Sequence, residues 1–535
     1  MAEVANINEL LDGHTRLAVD CLDRIYLNVY VPNLQVGGQV VQFLTHHRGN
    51  PVPSPALFEK IGTRFREAVR RYAEAQGIPI LALKKPDRRR WDDRKLDHVR
   101  PYFEKASGPG VVAIVVAQEF QQVFTGTNQA QQPGAVRFAF TKMERRVTTY
   151  YFYVLDAEFG PGFIKLCSYF PYPGKVWLNG HEWAKRQATA AGIEYRELAN
   201  GFASCAAPEK LQAICDKLGP EQIQGFFDRW MAVLPTPLDE RDRLGGYWWE
   251  LSMRQIEVAR TIVFDDPRRA RSFFESLVRD NIGMGRPAQI AAVFARRLRK
   301  DTPGIFRTRV FGAGTEVKID FAFKQSRIKQ YLKEGRALRV ECVVNNPKDL
   351  RVARRLGNLP ELQEKARAAN HRLLTMERAG QGCAIGNALF GRIQLPYVRE
   401  GQRTGALRFG DLRVMALTGA LCVLLNSVIG FNNQRLRCLV AELLGSGYTT
   451  SQMSYDLRRL RLQGIIRRLP HSQTYVLTDE GMRVALFYTK LRDRVLDPLL
   501  EADQPQAPPK LRAALRTIQR AVDEYVANAC IGTAA

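Results

Sequence analysis

Residues 449–478 read TTSQMSYDLRRLRLQGIIRRLPHSQTYVLT, and the fold of the C-terminal part follows from them. Thr449 or Thr450 supplies a capping hydroxyl, Met453, Leu457 and Leu460 recur at helical spacing, and Gly464 ends the helix. IIRRL and TYVLT, separated by the polar PHSQ, then read as a hairpin. Upstream, NNQRLRCLVAELLG places Leu436, Leu439, Val440 and Leu443 on one helical face before a turn at Gly445, Ser446 and Gly447. DLRVMALTGALCVLLNSV before it and DEGMRVALFYTKLRDRVLDPLL after the hairpin complete the set as helices. Two helices joined by a glycine-bearing turn make a helix-turn-helix.

On the helix after that turn, Ser451, Tyr455, Arg458 and Arg459 project away from the apolar side, and Arg467, Arg468 and His471 fall on the hairpin. Arginines placed this way reach phosphates and guanine edges in a major groove. The ordinary alternative for such a surface is contact with another protein. Tyr475 to Gly481 stand as YVLTDEG, and this region resembles the winged-helix domains of bacterial regulators, in which a YxLTxxG strand and helix follow the wing. The resemblance implies a DNA-binding winged helix at 409–500.

A chain of 535 residues is long enough for several domains, each with its own core. Its 79 Lys and Arg against 54 Asp and Glu leave a formal charge of +25, a field that attracts polyanions and favours counterion release on nucleic acid. DNA is therefore the expected partner, and self-association stays open. The nine cysteines are scattered singly, without CxxC or paired His spacing, so reduced buried thiols are expected rather than disulfides or a zinc finger. No uncharged apolar run reaches the ~20 residues of a membrane span, and MAEVANINEL lacks the pattern of a secretory signal. The expected location is the cytoplasm, with no membrane partner. No GxxxxGK[ST] loop suggests a bound nucleotide.

The expected fold class is multidomain α/β and α+β. Residues 1–134, where strand-like CLDRIYLNVYV, IPILAL and GVVAIVVAQEF alternate with helical segments, read as an α/β layer. RVTTYYFYVLD, GFIKLCSYFPY and GKVWLNG, joined by Gly/Pro turns, read as an antiparallel meander. They open a central α+β domain, 135–375, with a helical insertion and returning strands FRTRVF, EVKIDFAF and ALRVECVVN. A linker at 376–408, the winged helix at 409–500, and a linker with a terminal helix at 501–535 complete the organisation. The basic segment 84–100, with Trp91 within it and Tyr102 just after it, is a second candidate contact to nucleic acid, through phosphate neutralisation and aromatic stacking.

Four strings carry candidate chemistry. Asp20 and Asp23 flank the first strand, where RNase-H-like nucleases and transposases place a metal-binding Asp. Asp156 and Glu158 lie two apart, on one side of a continuing strand, as metal ligands or as a polar hairpin end. In LNGHEWAKRQ, Asn179 can cap a helix whose first turn carries His181, a candidate base or ligand; the HExxH spacing of zinc proteases is absent. In KQYLKEGRALRVECVVNN, Arg339 and Glu341 share one strand face, as an ion pair or as part of a site. This last string is similar to the Y-x-K…L-R-x-E segment of rolling-circle replication initiators and relaxases, though the His-hydrophobic-His motif of those proteins is absent. By analogy, Tyr331 would stand near sheet carboxylates.

NGHEWAKRQ, LRVE and the C-terminal helices together resemble a widespread bacterial family without an assigned function, over the full chain. The expected function is DNA processing as a metal-dependent nuclease or a related mobile-element protein. Asp156, Glu158 and Glu341 would hold Mg²⁺, with His181 as base or ligand and Arg339 steadying the phosphate. The alternatives are a non-enzymatic winged-helix regulator or replication initiator, and an RNA-binding protein.

Overall fold

The computed structural model describes residues 7–82, 91–129, 138–281, 305–313, 316–380, 387–399, 401–424, 431–470, 472–492 and short stretches of 513–524. The chain divides into two compact units, one built on residues 9–278 and 303–371, the other on 372–535. It is a mixed α/β protein. No helix among the described residues is long and apolar enough to cross a membrane.

The strands of the first unit are β1 (Thr15–Tyr30), β2 (Ile80–Ala82), β3 (Gly110–Asn128), β4 (Phe138–Asp156), β5 (Gly160–Cys167), β6 (Gly174–Asn179), β7 (Tyr195–Leu198), β8 (Gly201–Cys205), β9 (Glu250–Phe264), β10 (Ile305–Ala313), β11 (Glu316–Lys324), β12 (Ser326–Lys333) and β13 (Ala337–Val344). All but the β7–β8 hairpin join one sheet of eleven strands in the order β10-β11-β12-β13-β9-β1-β6-β5-β4-β3-β2. β2 and β3 run parallel and the other neighbours antiparallel. Every residue of β13 is buried, so this strand is covered on both faces. Its neighbour β9 is nearly as buried.

The β4–β5–β6 meander matches the expectation from sequence. The expected boundary at 134 falls between β3 and β4, yet these two long strands pair from Gly110↔Leu155 to Asn128↔Phe138. β1 pairs with β6 and β9 rather than with β2 or β3, so the first 134 residues share a sheet with the following two hundred instead of closing a layer of their own. Residues 326–333, expected to precede a strand, form β12, with Tyr331 opposite Arg339. Partners this far apart in sequence leave no local periodicity to read. Part of the basic segment 84–100 lies outside the described residues.

In the second unit, helices Leu412–Leu424, Asn433–Leu444, Thr450–Leu462 and Asp479–Leu491 surround the hairpin β16–β17 (Ile466–Arg468, Tyr475–Leu477). Leu417, Leu421, Leu436, Val440, Met453, Leu457, Leu460, Val484 and Tyr488 form its buried core. Asn432 caps the second helix, Gly445 ends it in the left-handed conformation, and Thr449 with Gln452 makes a capping box on the third. The expected linker 376–408 contributes structure here: Ile393 of the helix Asn387–Gln394 and Leu407 are buried in this core, and β14–β15 (Tyr397–Arg399, Gln402–Thr404) form another hairpin.

The helix Gly180–Ala190 starts directly against β1. A Cβ on Gly180 would overlap the Leu22 carbonyl oxygen, so only glycine lets the helix approach this strand. Gly180→Ala is expected to destabilise the first unit by roughly 1–3 kcal/mol through overpacking, read as a lower urea midpoint. Gly357→Ala, with nothing within 4 Å of its added carbon, should leave that midpoint in place. Equal midpoints for the two variants would disprove the close approach.

Candidate functional site

Three carboxylates meet on one face of the sheet centre. On β1, Leu22 pairs with Val258 and Ile25 with Ile256, so Asp23 and Arg24 together stand against the single residue Glu257 of β9. Such a bulge re-aims the side chains it contains. Glu341 reaches the same face because β13 pairs Val343 with Glu257 and side chains two apart point alike. Ligand oxygens of Asp23, Glu257 and Glu341 lie within 4.8 Å of one another, and all three residues are buried.

Arg339, 0% exposed, holds this group together. Its Nε donates to Glu341 Oε1 at 3.1 Å, Nη2 to Asp23 Oδ2 at 3.4 Å and to the Asn200 carbonyl at 2.7 Å, and Nη1 to Thr261 Oγ1. Burial works against its charge, but Asp23 and Glu341 outweigh that and keep it protonated. Asn200 Nδ2 donates to Asp23 Oδ1 at 2.6 Å, and Tyr331 Oη to Glu341 Oε1 at 2.7 Å. Burial, then Glu341, push the Tyr331 hydroxyl up, so it stays a donor rather than a phenolate nucleophile. Gln255 donates to Glu257 Oε1 at 2.7 Å, and the half-exposed Arg24 stands 4.0 Å from it.

These contacts leave the charges unbalanced. Three buried carboxylates face one fully buried guanidinium, and the Glu257 carboxyl is pushed above its usual range by burial, with Asp23 and Glu341 adding to the effect against Lys329 and Arg24.

His181 completes the covered side. Asn179 Oδ1 caps its helix by accepting from the His181 and Glu182 amides, as the sequence suggests. The imidazole is 0% exposed, and neither ring nitrogen has a hydrogen-bond partner among the described residues. A Cβ added at Gly201 would lie 3.1 Å from Arg339 Nη1 and 3.8 Å from His181 Nδ1, so ring and guanidinium flank one glycine. Burial, then the Arg339 charge, hold His181 far below its usual range and therefore neutral.

The structure thus brings Arg339, Glu341 and His181 into one neighbourhood. It does not bring Asp156 and Glu158 there. Asp156 ends β4, five strands from β13 in the sheet order, roughly 24 Å at the usual strand spacing. Its Oδ1 accepts the amides of Glu158 and Phe159, its Oδ2 accepts Trp230 Nε1 at 2.8 Å, and Arg229 pairs with both acids. The pair is a turn cap answered by arginine. Asp20 faces the opposite side of the sheet, with Arg260 at 2.6 Å and His371 at 3.0 Å. Glu257 and Asn200 were not singled out in the sequence; a lone acid among the apolar alternation of QIEVARTIV was the only local sign of Glu257.

On the helix Thr450–Leu462, Ser451, Tyr455 and Arg458 are exposed. Arg459 is instead tucked in, with its side chain 11% exposed, 3.6 Å from the buried Asp456 and donating to the Gly405 carbonyl. Arg458 lies 3.4 Å from Gln402 of the β14–β15 hairpin, which covers part of this face. Arg467 and Arg468 are exposed on β16, and His471 lies outside the described residues.

No family model, curated protein or solved structure matches the chain. The donor set itself is all oxygen, which suits a hard divalent cation such as Mg²⁺, Mn²⁺ or Ca²⁺.

A carboxyl whose folded-state value is raised stabilises the fold when protonated; that contribution is full below the ordinary carboxylate range and lost as pH rises through the raised value. Above it, a bound cation offsets the added charge. Mg²⁺ or Mn²⁺ should therefore raise the thermal midpoint of the protein more at about pH 8 than at about pH 5, and Glu257→Gln should shrink the rise. An identical cation effect in wild type and Glu257→Gln would rule this cluster out. Separately, Arg339→Met should destabilise the first unit by roughly 3–5 kcal/mol, because it leaves the acids without their counter-charge. Acidification should recover part of the loss in urea melts.

Proposed function

We propose that the protein binds DNA and processes its phosphodiester backbone at a divalent-cation site formed by Asp23, Glu257 and Glu341. The observation that carries this reading is the buried, undercompensated carboxylate cluster with an unpartnered neutral imidazole beside it, in a chain of charge +25. Held there, a divalent cation supplies Lewis-acid polarisation of a phosphoryl oxygen and a lowered pKa for bound water. Arg339 is a positioning residue that fixes the orientation of Asp23 and Glu341, and Tyr331 fixes one Glu341 oxygen. His181, held neutral by burial and the neighbouring Arg339, brings an uncharged imidazole with two unbonded nitrogens to the site. Arg24, half exposed beside Glu257, is the candidate phosphate contact at the rim.

The second unit supports DNA binding in particular. Its order of three helices, hairpin and helix, and the backbone bridge that adds Phe431 to the hairpin at Tyr475, are compatible with the winged helix that the sequence suggests. Tyr455, Arg458 and the β16 arginines are its candidate contacts, whereas Arg459 is engaged by Asp456 and the Gly405 carbonyl. A regulator without catalysis is the second reading, favoured by this unit alone.

Incubating labelled DNA with the protein and Mg²⁺ or Mn²⁺ tests the first reading. Cleavage should fall to the metal-free background in Glu257→Gln and Glu341→Gln and persist in Asp156→Asn. Cleavage that survives both glutamate changes would reject the site, and binding without cleavage in every metal would favour the regulator. In the second unit, Arg458→Ala should weaken duplex binding and lower the slope of log affinity against log salt by about one.

A further inference from the structure

An open groove of about 720 Å³ lies on the carboxylate-bearing face of the sheet, between β1, β3, β4, β5, β6 and β9. Its floor is a row of directly paired aromatic residues, for Tyr26 stands opposite Trp177, Trp177 opposite Phe163, and Phe163 opposite Tyr153. The Trp177 and Phe163 rings are nearly parallel, 13° apart with centroids at 6.1 Å, and Tyr26 meets Phe163 edge-on at 6.2 Å. Trp177, Phe163 and Tyr26 are all partly exposed. Along the next row run Asn28, Lys175 and Lys165, each opposite the one before.

The cations are placed with the rings. Lys175 Nζ and Arg254 Cζ lie 5.5 Å and 5.7 Å from the Tyr26 ring centroid. Arg254 is an extra residue in β9, which pairs Gln255 with Tyr26 and Met253 with Leu27. Lys165 is engaged by Glu119, which leaves Lys175, Arg254 and Arg24 as the groove's cations. Arg24 and Gln255 both line the groove and both reach Glu257, so its end adjoins the carboxylates.

We propose that this groove binds a single-stranded polynucleotide, with unpaired bases stacked on Trp177, Phe163 and Tyr26 and the backbone phosphates held by Lys175, Arg254 and Arg24. Stacking on a sheet face needs bases that are not enclosed in a duplex, and flanking cations follow the phosphates. This deepens the reading of the carboxylates as a phosphodiester centre by naming the strand that enters it; only that delivery rests on the reading.

Lys175 adds a pH signature. Burial, then the charges of Arg254 and Lys165, hold its amine down to about 7; Arg354 acts in the same sense, Glu119 opposes them, and Lys175 Nζ donates a hydrogen bond to Asn28 Oδ1 at 2.9 Å. A phosphate favours the charged form, so affinity should fall as pH rises above about 7.

The test is fluorescence anisotropy of the full chain, in EDTA, with a labelled single-stranded DNA oligonucleotide, its RNA counterpart and the DNA duplex. Single strands should bind, with affinity lowered roughly tenfold by Trp177→Leu and also lowered by the double change Lys175→Gln with Arg254→Gln. Duplex affinity should be unchanged by either, and Lys175→Arg should flatten the pH dependence. The DNA and RNA arms identify the sugar. Single-strand affinity indifferent to both sets of variants, each melting as wild type does, would overturn the proposal, as would binding confined to duplex. Groove-dependent binding without cleavage in any metal leaves the groove standing and removes the phosphodiester centre; cleavage with groove-indifferent binding does the reverse.

Discussion

The first unit is organised around one buried cation. The Arg339 side chain gathers an acid from β1, an acid from its own strand, a hydroxyl from β9 and a carbonyl from the turn between β7 and β8. Donors in a fixed planar fork accept only one arrangement of such partners. A buried ion pair of this kind adds little net stability over apolar packing, but losing one partner strands the others in a poor dielectric. Its effect is therefore on which arrangement the sheet centre adopts. The pairing of β13 with β9 and of β9 with β1 must be in register for Glu341, Thr261 and Asp23 to meet one guanidinium.

That arrangement satisfies Arg339 without balancing the carboxylates. An apolar pair at Glu257 and His181 would pack at no electrostatic cost, whereas the residues present leave one carboxyl raised by burial and an imidazole with neither nitrogen bonded. Departures from full polar satisfaction concentrate where a protein binds or reacts. The surroundings also divide the charges: Tyr331 and Arg339 are held as donors, His181 is held neutral, and the cluster's negative charge lies with the acids.

How much of this was legible in the sequence depended on the range of the contacts. The C-terminal helices were readable because caps, glycine turns and apolar spacing act within a few residues, as at Thr449, Gly445 and Met453. Arg459 was misplaced for a tertiary reason, since Asp456 and the Gly405 carbonyl hold it in. In the first unit, Arg339 and Glu341 could be paired because they lie two apart on a strand, and Asn179 could be seen as a cap before His181. Asp156 and Glu158 share that two-residue spacing, but the chain turns over residues 157–159 and the first acid is taken up by turn amides. Glu257 was out of reach, because its meaning comes from β1, more than two hundred residues earlier.

The bulge in β1 links the carboxylates to the groove by parity. In an unbroken strand Asp23 and Tyr26, three apart, would point to opposite faces. Setting two residues against Glu257 shifts the alternation by one: Cys21 and Asp23 before it and Tyr26 after it face the same side, while Leu22 and Ile25 both turn to the other. The second irregularity, at Arg254, performs the same shift on β9 and sets a guanidinium beside Tyr26. Two single-residue insertions in neighbouring strands thus place an acidic cluster, an aromatic floor and its flanking cations on one surface. Had β1 paired one-to-one through Asp23 and Arg24, the acid and the Tyr26 ring would lie on opposite sides of the sheet.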